Sequence, residues 1–243
     1  MDTQLINDIR AQQEKPLIGV IGSTRPTRDY KREFGMNAGY KLRDYAGQYG
    51  GSVFTGGVNG VGVDVYAGVI KYCIDKLLEK RLSLSRSMAD DKFFVLVPEY
   101  EEFLNVSISR LRRNFPYEIP EAYQVLGALS PRGAVDVVRA GNNMSERREY
   151  LSEVADMLVV VNGGGGTLDE ALKALKSSKG VVAMERSGGA ASILGGMKRN
   201  DIPRVIHLDK DDFIDFREVD TSLIETASND EEMIRYVDRV LRA

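Results

Sequence analysis

The residues best placed to do chemistry lie in "VVVNGGGGTLDEAL", Val159 to Leu172, where four consecutive glycines separate an apolar run from a segment with helical spacing and the carboxylates Asp169 and Glu170 follow. Glycine puts no side chain between its N–H and a ligand, and a helix beginning just beyond adds the positive end of its dipole, so the arrangement suits an anion. Two more glycine-rich turns share this design: "GVIGSTRPTRDY" with Gly22 and Ser23, and "VFTGGVNGVGVDVYAGV" with Gly56, Gly57 and Gly60. The hydroxyls of Ser23 and Thr167 add possible donors, and a phosphate is the ligand such turns would hold. The pattern G-x-x-x-x-G-K-[ST] is absent, and "GVIGSTRP" departs from G-x-G-x-x-G, so a monophosphate cleft fits better than a triphosphate or dinucleotide site. A single glycine turn also serves close strand–helix packing; three together favour a ligand.

These turns need elements that bring them to one edge. Short β-branched runs recur at 16–22, 52–57, 93–98, 135–141, 156–163, 180–184 and 203–208. Between most of them lie stretches with apolar residues at i, i+3, i+4, such as "MNAGYKLRDYAGQYG", "MSERREYLSEVADM" and the C-terminal "NDEEMIRYVDRVLRA". Strands apolar on both faces, alternating with helices, imply an α/β fold: a Rossmann-like, doubly wound, mostly parallel sheet of about seven strands with helices on both faces. Right-handed crossovers then put every strand-to-helix turn at one edge, where such folds bind ligands. The chain reads as a single domain over 1–243, with residues 1–15 an N-terminal helix or tail and 81–133 a longer variable segment of loops and short helices over the cleft.

Bulk properties narrow the function. With 243 residues, 43% of them hydrophobic, the chain can bury one large core. A formal net charge of −3 offers no long-range attraction to a polyanion, so nucleic acid is not an expected partner. One cysteine, Cys73, and one histidine, His207, provide neither a disulfide framework nor a metal site. No segment approaches the ~20 apolar residues of a membrane span, and the N-terminus lacks a signal peptide's apolar core, so a cytoplasmic location is expected.

The stretch "NNMSERREYL", taken with the glycine turn, resembles the LONELY GUY (LOG) family of cytokinin-activating phosphoribohydrolases, often labelled lysine decarboxylases. That family sits within a wider group of Rossmann-like nucleotide-binding proteins that also includes molybdenum cofactor carrier-like proteins. Its M-x-x-R-[KR] segment is met by Met144, Arg147 and Arg148. Its P-G-G-x-G-T-x-x-E segment is met by Gly163, Gly164, Gly166, Thr167 and Glu170, with Gly165 at the free position and Asn162 in place of the proline. "FTGGVNGVG" is similar to the family's G-G-x-x-G-x-M turn, with Gly62 where the methionine would stand. The resemblance runs from Leu17 to about Met184 and implies that Arg147 and Glu170 form an active pair, with no metal or cofactor. Glu170, counted from Gly166 onto the first helical turn and facing the cleft mouth, would stabilise an oxocarbenium-like state, while Arg147 would hold the ribose phosphate or neutralise the departing base. The implied reaction is hydrolysis of a nucleoside 5′-monophosphate to free base and ribose 5-phosphate. The alternative is a protein that binds a nucleotide or a phosphorylated cofactor of molybdopterin type without turning it over. The resemblance further implies a homodimer or higher homo-oligomer, with helix 60–80 a candidate surface.

Other candidates carry less. Asp169 should face away from Glu170, since adjacent helical residues do not share a face. His207 reads as a structural histidine on a strand. Arg110, Arg112 and Arg113 in "SRLRRNF" read as a solvated helix face, with a second phosphate contact as the alternative. The glycines of "RSGGAASILGGM", 186–197, either add a flexible wall to the cleft or permit a tight helix approach. Lysines have no context for a pyridoxal Schiff base, so the decarboxylase label finds no support.

Overall fold

The structure is a computed structural model that describes residues 2–12, 15–56, 60–78, 93–97, 135–208 and 212–242. Its elements run α1 (Thr3–Gln12), β1 (Leu17–Gly22), α2 (Arg32–Tyr49), β2 (Ser52–Thr55), α3 (Val61–Leu78), β3 (Phe93–Val97), β4 (Val135–Arg139), α4 (Met144–Val154) and β5 (Met157–Val161). They continue with α5 (Gly165–Lys176), β6 (Gly180–Met184), α6 (Gly189–Arg199), β7 (Val205–His207), β8 (Phe213–Asp215), β9 (Ile224–Ala227) and α7 (Asp230–Arg242). Gly57, Arg110, Arg112, Arg113 and nearly all of the 81–133 segment lie outside the described residues.

The main sheet has the order β4-β3-β2-β1-β5-β6-β9, and every pairing in it is parallel. Central strands are buried throughout, as "MLVVV" in β5 illustrates, because helices cover both faces. Alternation along the strand divides the core in two: Met157, Val159 and Val161 pack with α2, α3 and α7, whereas Leu158 and Val160 pack with α4, α5 and α6. The expected α/β, Rossmann-like fold with helices on both faces is the one observed.

Two details differ from expectation. The run 203–208 does not join the main sheet; Val205–His207 pairs antiparallel with Phe213–Asp215 in a separate hairpin. The edge position beside β6 is instead taken by Ile224–Ala227, whose sequence "IETA" keeps only its first and last residues buried and so lacks the continuous apolar run of a central strand.

Order along the sheet reverses at β1, which pairs with β2 on one side and β5 on the other. The helices that follow β1 and β5 therefore lie on opposite faces, and their connecting turns part to leave a crevice at the strands' carboxyl ends. Gly22 and Ser23 flank that crevice on one side, and the glycine run after β5 flanks it on the other.

Candidate functional site

Of the helices that begin near this crevice, α4, α5 and α6 have N-termini that are treated differently. At α4, the Asn143 side chain accepts hydrogen bonds from the N–H groups of Ser145 and Glu146, while Glu146 accepts from the Asn142 N–H. At α6, the Ala190 and Ala191 N–H groups donate to the carbonyls of Gly163 and Asn162. At α5, the N-cap is Gly164, which has no side chain to offer; the Thr167 and Leu168 N–H groups close onto its carbonyl. Among the described residues nothing accepts from the N–H groups of Gly164, Gly165 or Gly166. These are the orphan donors of a helix start, at the positive end of its dipole.

The individual glycines have separate reasons. Gly163 has φ +112°, where a side chain is strained, and the Thr167 side chain already fills the place of a Cβ. Leu208 of the hairpin fills that place at Gly165, and the Arg148 guanidinium fills it at Gly166. At Gly164 nothing lies within 4 Å, and its φ of −120° is open to any residue. No neighbour within the described structure and no backbone conformation requires glycine there.

Arg147 and Arg148 reach two sides of this terminus from the first turns of α4. The Arg147 guanidinium occupies the space beside Gly56 at the end of β2 and comes within 3.1 Å of Glu170 Oε1, with both side chains buried. The approach lacks hydrogen-bond geometry: Glu170 Oε1 and Arg147 Nε are both buried without a hydrogen-bond partner. Burial raises the Glu170 carboxyl above the usual glutamate range, while Arg147 and Arg148 pull it back down. Arg148 is half-buried, its guanidinium lies on Gly166, and that guanidinium has no ion pair or hydrogen bond among the described residues.

The turn is held by Asn162, fully buried at φ +56°. Its Nδ2 donates to Thr27 Oγ1 and to the Ser187 carbonyl, each at 2.7 Å, and its Oδ1 accepts from the Thr27 N–H at 3.2 Å. Its own N–H donates to Ser187 Oγ at 2.6 Å, a bond that the proline of the family motif cannot make. The loop after β1, the turn after β5 and the short 3-10 turn Glu185–Ser187 after β6 are thereby joined.

Several expected site residues are placed differently from the sequence reading. Glu170 stands in the second turn of α5, which begins at Gly165, and its carboxyl is turned into the interior against Arg147, because the helix face bearing Ala171 and Ala174 is the one that packs on the sheet. The Ser23 hydroxyl donates to the Arg25 carbonyl, so its proton is committed within its own loop. Thr167 is buried over Gly163. Gly22 is pressed against the Val161 carbonyl and Val61, and Gly60 against Ser23 and Thr24, close approaches that link the β1 and β2 turns. Met144 opens α4, and Gly62 lies in the first turn of α3.

Asp169 pairs with Lys173 at 2.9 Å, away from Glu170. His207 is exposed beside Phe213 on the hairpin. The later glycines serve packing, Gly195 against Glu185 and Gly196 against Ile202. Among the described residues no cluster of His, Cys, Asp and Glu is arranged for a metal, and no helix is long and apolar enough to cross a membrane. A cavity of about 450 Å³ lies on the other face, lined by Glu33, Met36, Asn37, Tyr40, Lys41, Lys71 and Asp230. Sequence reasoning missed Thr27 and Ser187; the one pointer to them was the asparagine standing where the motif has proline.

No protein-family model matches the sequence, and no curated protein matches it at a significant level. Solved structures do share the fold. The molybdenum cofactor carrier protein of Chlamydomonas reinhardtii superposes with a TM-score of 0.56 at 19% identity, covering 94% of this chain and 99% of that one. The structural-genomics target TM1055 gives 0.56 at 19%, covering 92% and 99%. The molybdenum cofactor binding protein of Rippkaea orientalis gives 0.51 at 17%, covering 93% and 97%. At these identities the likeness is one of fold: the chain has the Rossmann-like architecture seen in molybdenum cofactor carrier proteins.

Proposed function

We propose that the chain binds and holds a small phosphorylated compound, a nucleoside 5′-monophosphate or a phosphorylated pterin of the molybdenum cofactor class, with the phosphate on the N-terminus of α5. One observation carries this reading: the Arg148 guanidinium, with no ion pair or hydrogen bond among the described residues, lies on a helix start whose N–H groups are there also without acceptors. Two positive elements side by side repel unless an anion joins them, and a phosphate accepts from both. Gly164, glycine without an internal reason, leaves the approach clear. The solved carriers of the same fold are named for the molybdenum cofactor, which favours carriage over turnover.

Mass spectrometry of the small molecules released from the natively purified chain tests the proposal. A phosphorylated heterocycle is expected. A chain that releases none, and that gives no heat when titrated with nucleoside monophosphates, ribose 5-phosphate and a pterin phosphate, overturns it.

A second reading, hydrolysis of a nucleoside monophosphate in the manner of the LOG family, draws on the Arg147–Glu170 pair, since Glu170 Oε1 lacks a hydrogen-bond partner and its carboxyl is biased towards the protonated form. Against it stands the burial of that carboxyl. Release of free base by the native chain, lost in Glu170→Gln while nucleotide still binds, would establish hydrolysis; no release from any nucleotide leaves carriage alone.

A further inference from the structure

Asn162 occupies the position where the resembling motif has proline, at a φ of +56° that a proline ring cannot adopt. Its amide is fully used, and both bonds to the loop after β1 go to Thr27, one to the hydroxyl and one to the N–H. The ends of that loop are fixed elsewhere. The Ser23 carbonyl accepts from the Val61 N–H at 3.0 Å. Tyr30 donates its hydroxyl to Asp64 Oδ2 at 3.0 Å, and Arg32 Nε meets Asp64 Oδ1 at 2.8 Å. Between these anchors, residues 24–29 bond within the loop to Ser23 and Tyr30, and among the described residues their hydrogen bonds beyond the loop all end on Asn162. Asn162 in turn sits immediately before the glycines of the phosphate cradle.

We infer that Asn162 is a positioning residue: it pins the middle of the loop after β1 to the cradle, so that residues 24–29 form a fixed wall against the part of the ligand beyond its phosphate. The wall rests on the proposed binding site, whereas the pin itself does not. With Thr27 held through its backbone and its hydroxyl, the flanking positions Arg25 and Arg28, both exposed, are held in the loop that follows β1. A ligand that makes contact beyond its phosphate meets a surface already in place and bears no cost of ordering it.

The variant Asn162→Gly removes the pin together with the side-chain bond to the Ser187 carbonyl, and the Thr27 variants separate the two. Glycine accepts the φ of +56° and keeps the N–H that bonds Ser187 Oγ, so the backbone tie of the turn is retained. Thr27→Val removes one bond from the loop side, and Thr27→Ser restores the hydroxyl. Amide hydrogen exchange and tryptic cleavage after Arg28 are followed in the native chain and all three variants, with no ligand added. In Asn162→Gly the Thr27 amide should exchange about tenfold faster or more, with faster cleavage after Arg28, and unchanged exchange at Val160 in the core. Thr27→Val should fall between, and Thr27→Ser should match the native chain. Equal exchange and cleavage in native and Asn162→Gly chains overturns the pin, and acceleration of Thr27 and Val160 together assigns Asn162 a general structural role instead.

The wall is tested by titration with inorganic phosphate and with nucleoside 5′-monophosphates. Asn162→Gly should leave phosphate affinity unchanged and weaken the nucleotides about fivefold or more. Nucleotides that bind the native chain no better than phosphate, or lose nothing in the variant, overturn the wall. If phosphate itself fails to bind the native chain, the proposed site falls, while Thr27 exchange still decides the pin.

Discussion

At the scale of single residues, two adjacent arginines have different duties. Arg147 is buried and faces Glu170 at 3.1 Å, so its charge is answered within the fold. Arg148 acts on Glu170 only through space, has no ion pair or hydrogen bond to its guanidinium among the described residues, and lies on the start of a helix. Arg148→Ala should therefore weaken binding of a nucleoside monophosphate by roughly 1.5–3 kcal/mol, the worth of a charge-assisted hydrogen bond, while melting stays at or above that of the native chain once the repulsion is gone. Isothermal titration and thermal unfolding of the same samples check both halves. The sequence showed both arginines and the carboxylate, because their types and spacing are visible in a string. It did not show the burial of Glu170, which depends on which face of α5 meets the sheet.

At the scale of elements, the question is why α5 alone among these three neighbouring helices starts on bare backbone. Asn143 caps α4 and two carbonyls cap α6, whereas Gly164 leaves α5 with free donors. Two glycine substitutions separate fold from function here. Gly163→Ala should cost roughly 1–2 kcal/mol of stability, since φ +112° is strained for a side chain and Thr167 blocks the space. Gly164→Ala should cost no more than about 1 kcal/mol, the N-cap preference for glycine over alanine, yet impair binding, since its methyl group meets no protein atom and only a ligand would collide with it. Denaturant melts and ligand titrations of the two variants give the comparison. The β5–α5 unit was readable because a fully apolar strand, a glycine run and helical spacing follow one another directly. The bond from Asn162 to Thr27 was not, because it joins residues 135 positions apart.

At the scale of the molecule, the crevice exists because strand order reverses between β1 and β5, which the alternation of strands and helices already implied. The last third of the sheet was less legible. "PRVIHL" has a stronger strand signal than "IETA", but the position beside β6 rewards a strand that can be covered by α6 and α7, and it is Ile224–Ala227 that they cover. The packing of α2 on α7 also sets an alkaline limit. Tyr45, buried and donating to Asp238 at 2.9 Å, has its phenol pushed up from 10.0 to about 12, by burial first and by the Asp238 carboxylate next. The folded chain thus holds this proton more tightly than the unfolded chain. Its contribution to stability is complete below pH 10.0 and is lost as pH rises through about 12. Urea unfolding across that interval should show a decline that is shallower in Tyr45→Phe, a variant about 1 kcal/mol less stable near neutrality for want of the hydrogen bond.

The central claim, that the bare start of α5 grips a phosphoryl group, can be read directly from an amide nitrogen–proton correlation spectrum of the chain titrated with inorganic phosphate at constant ionic strength. The account predicts that the Gly164, Gly165 and Gly166 amides move downfield together and saturably, and that Arg148→Ala weakens the response. Those three amides standing still while phosphate perturbs another surface, or perturbs none, would contradict it.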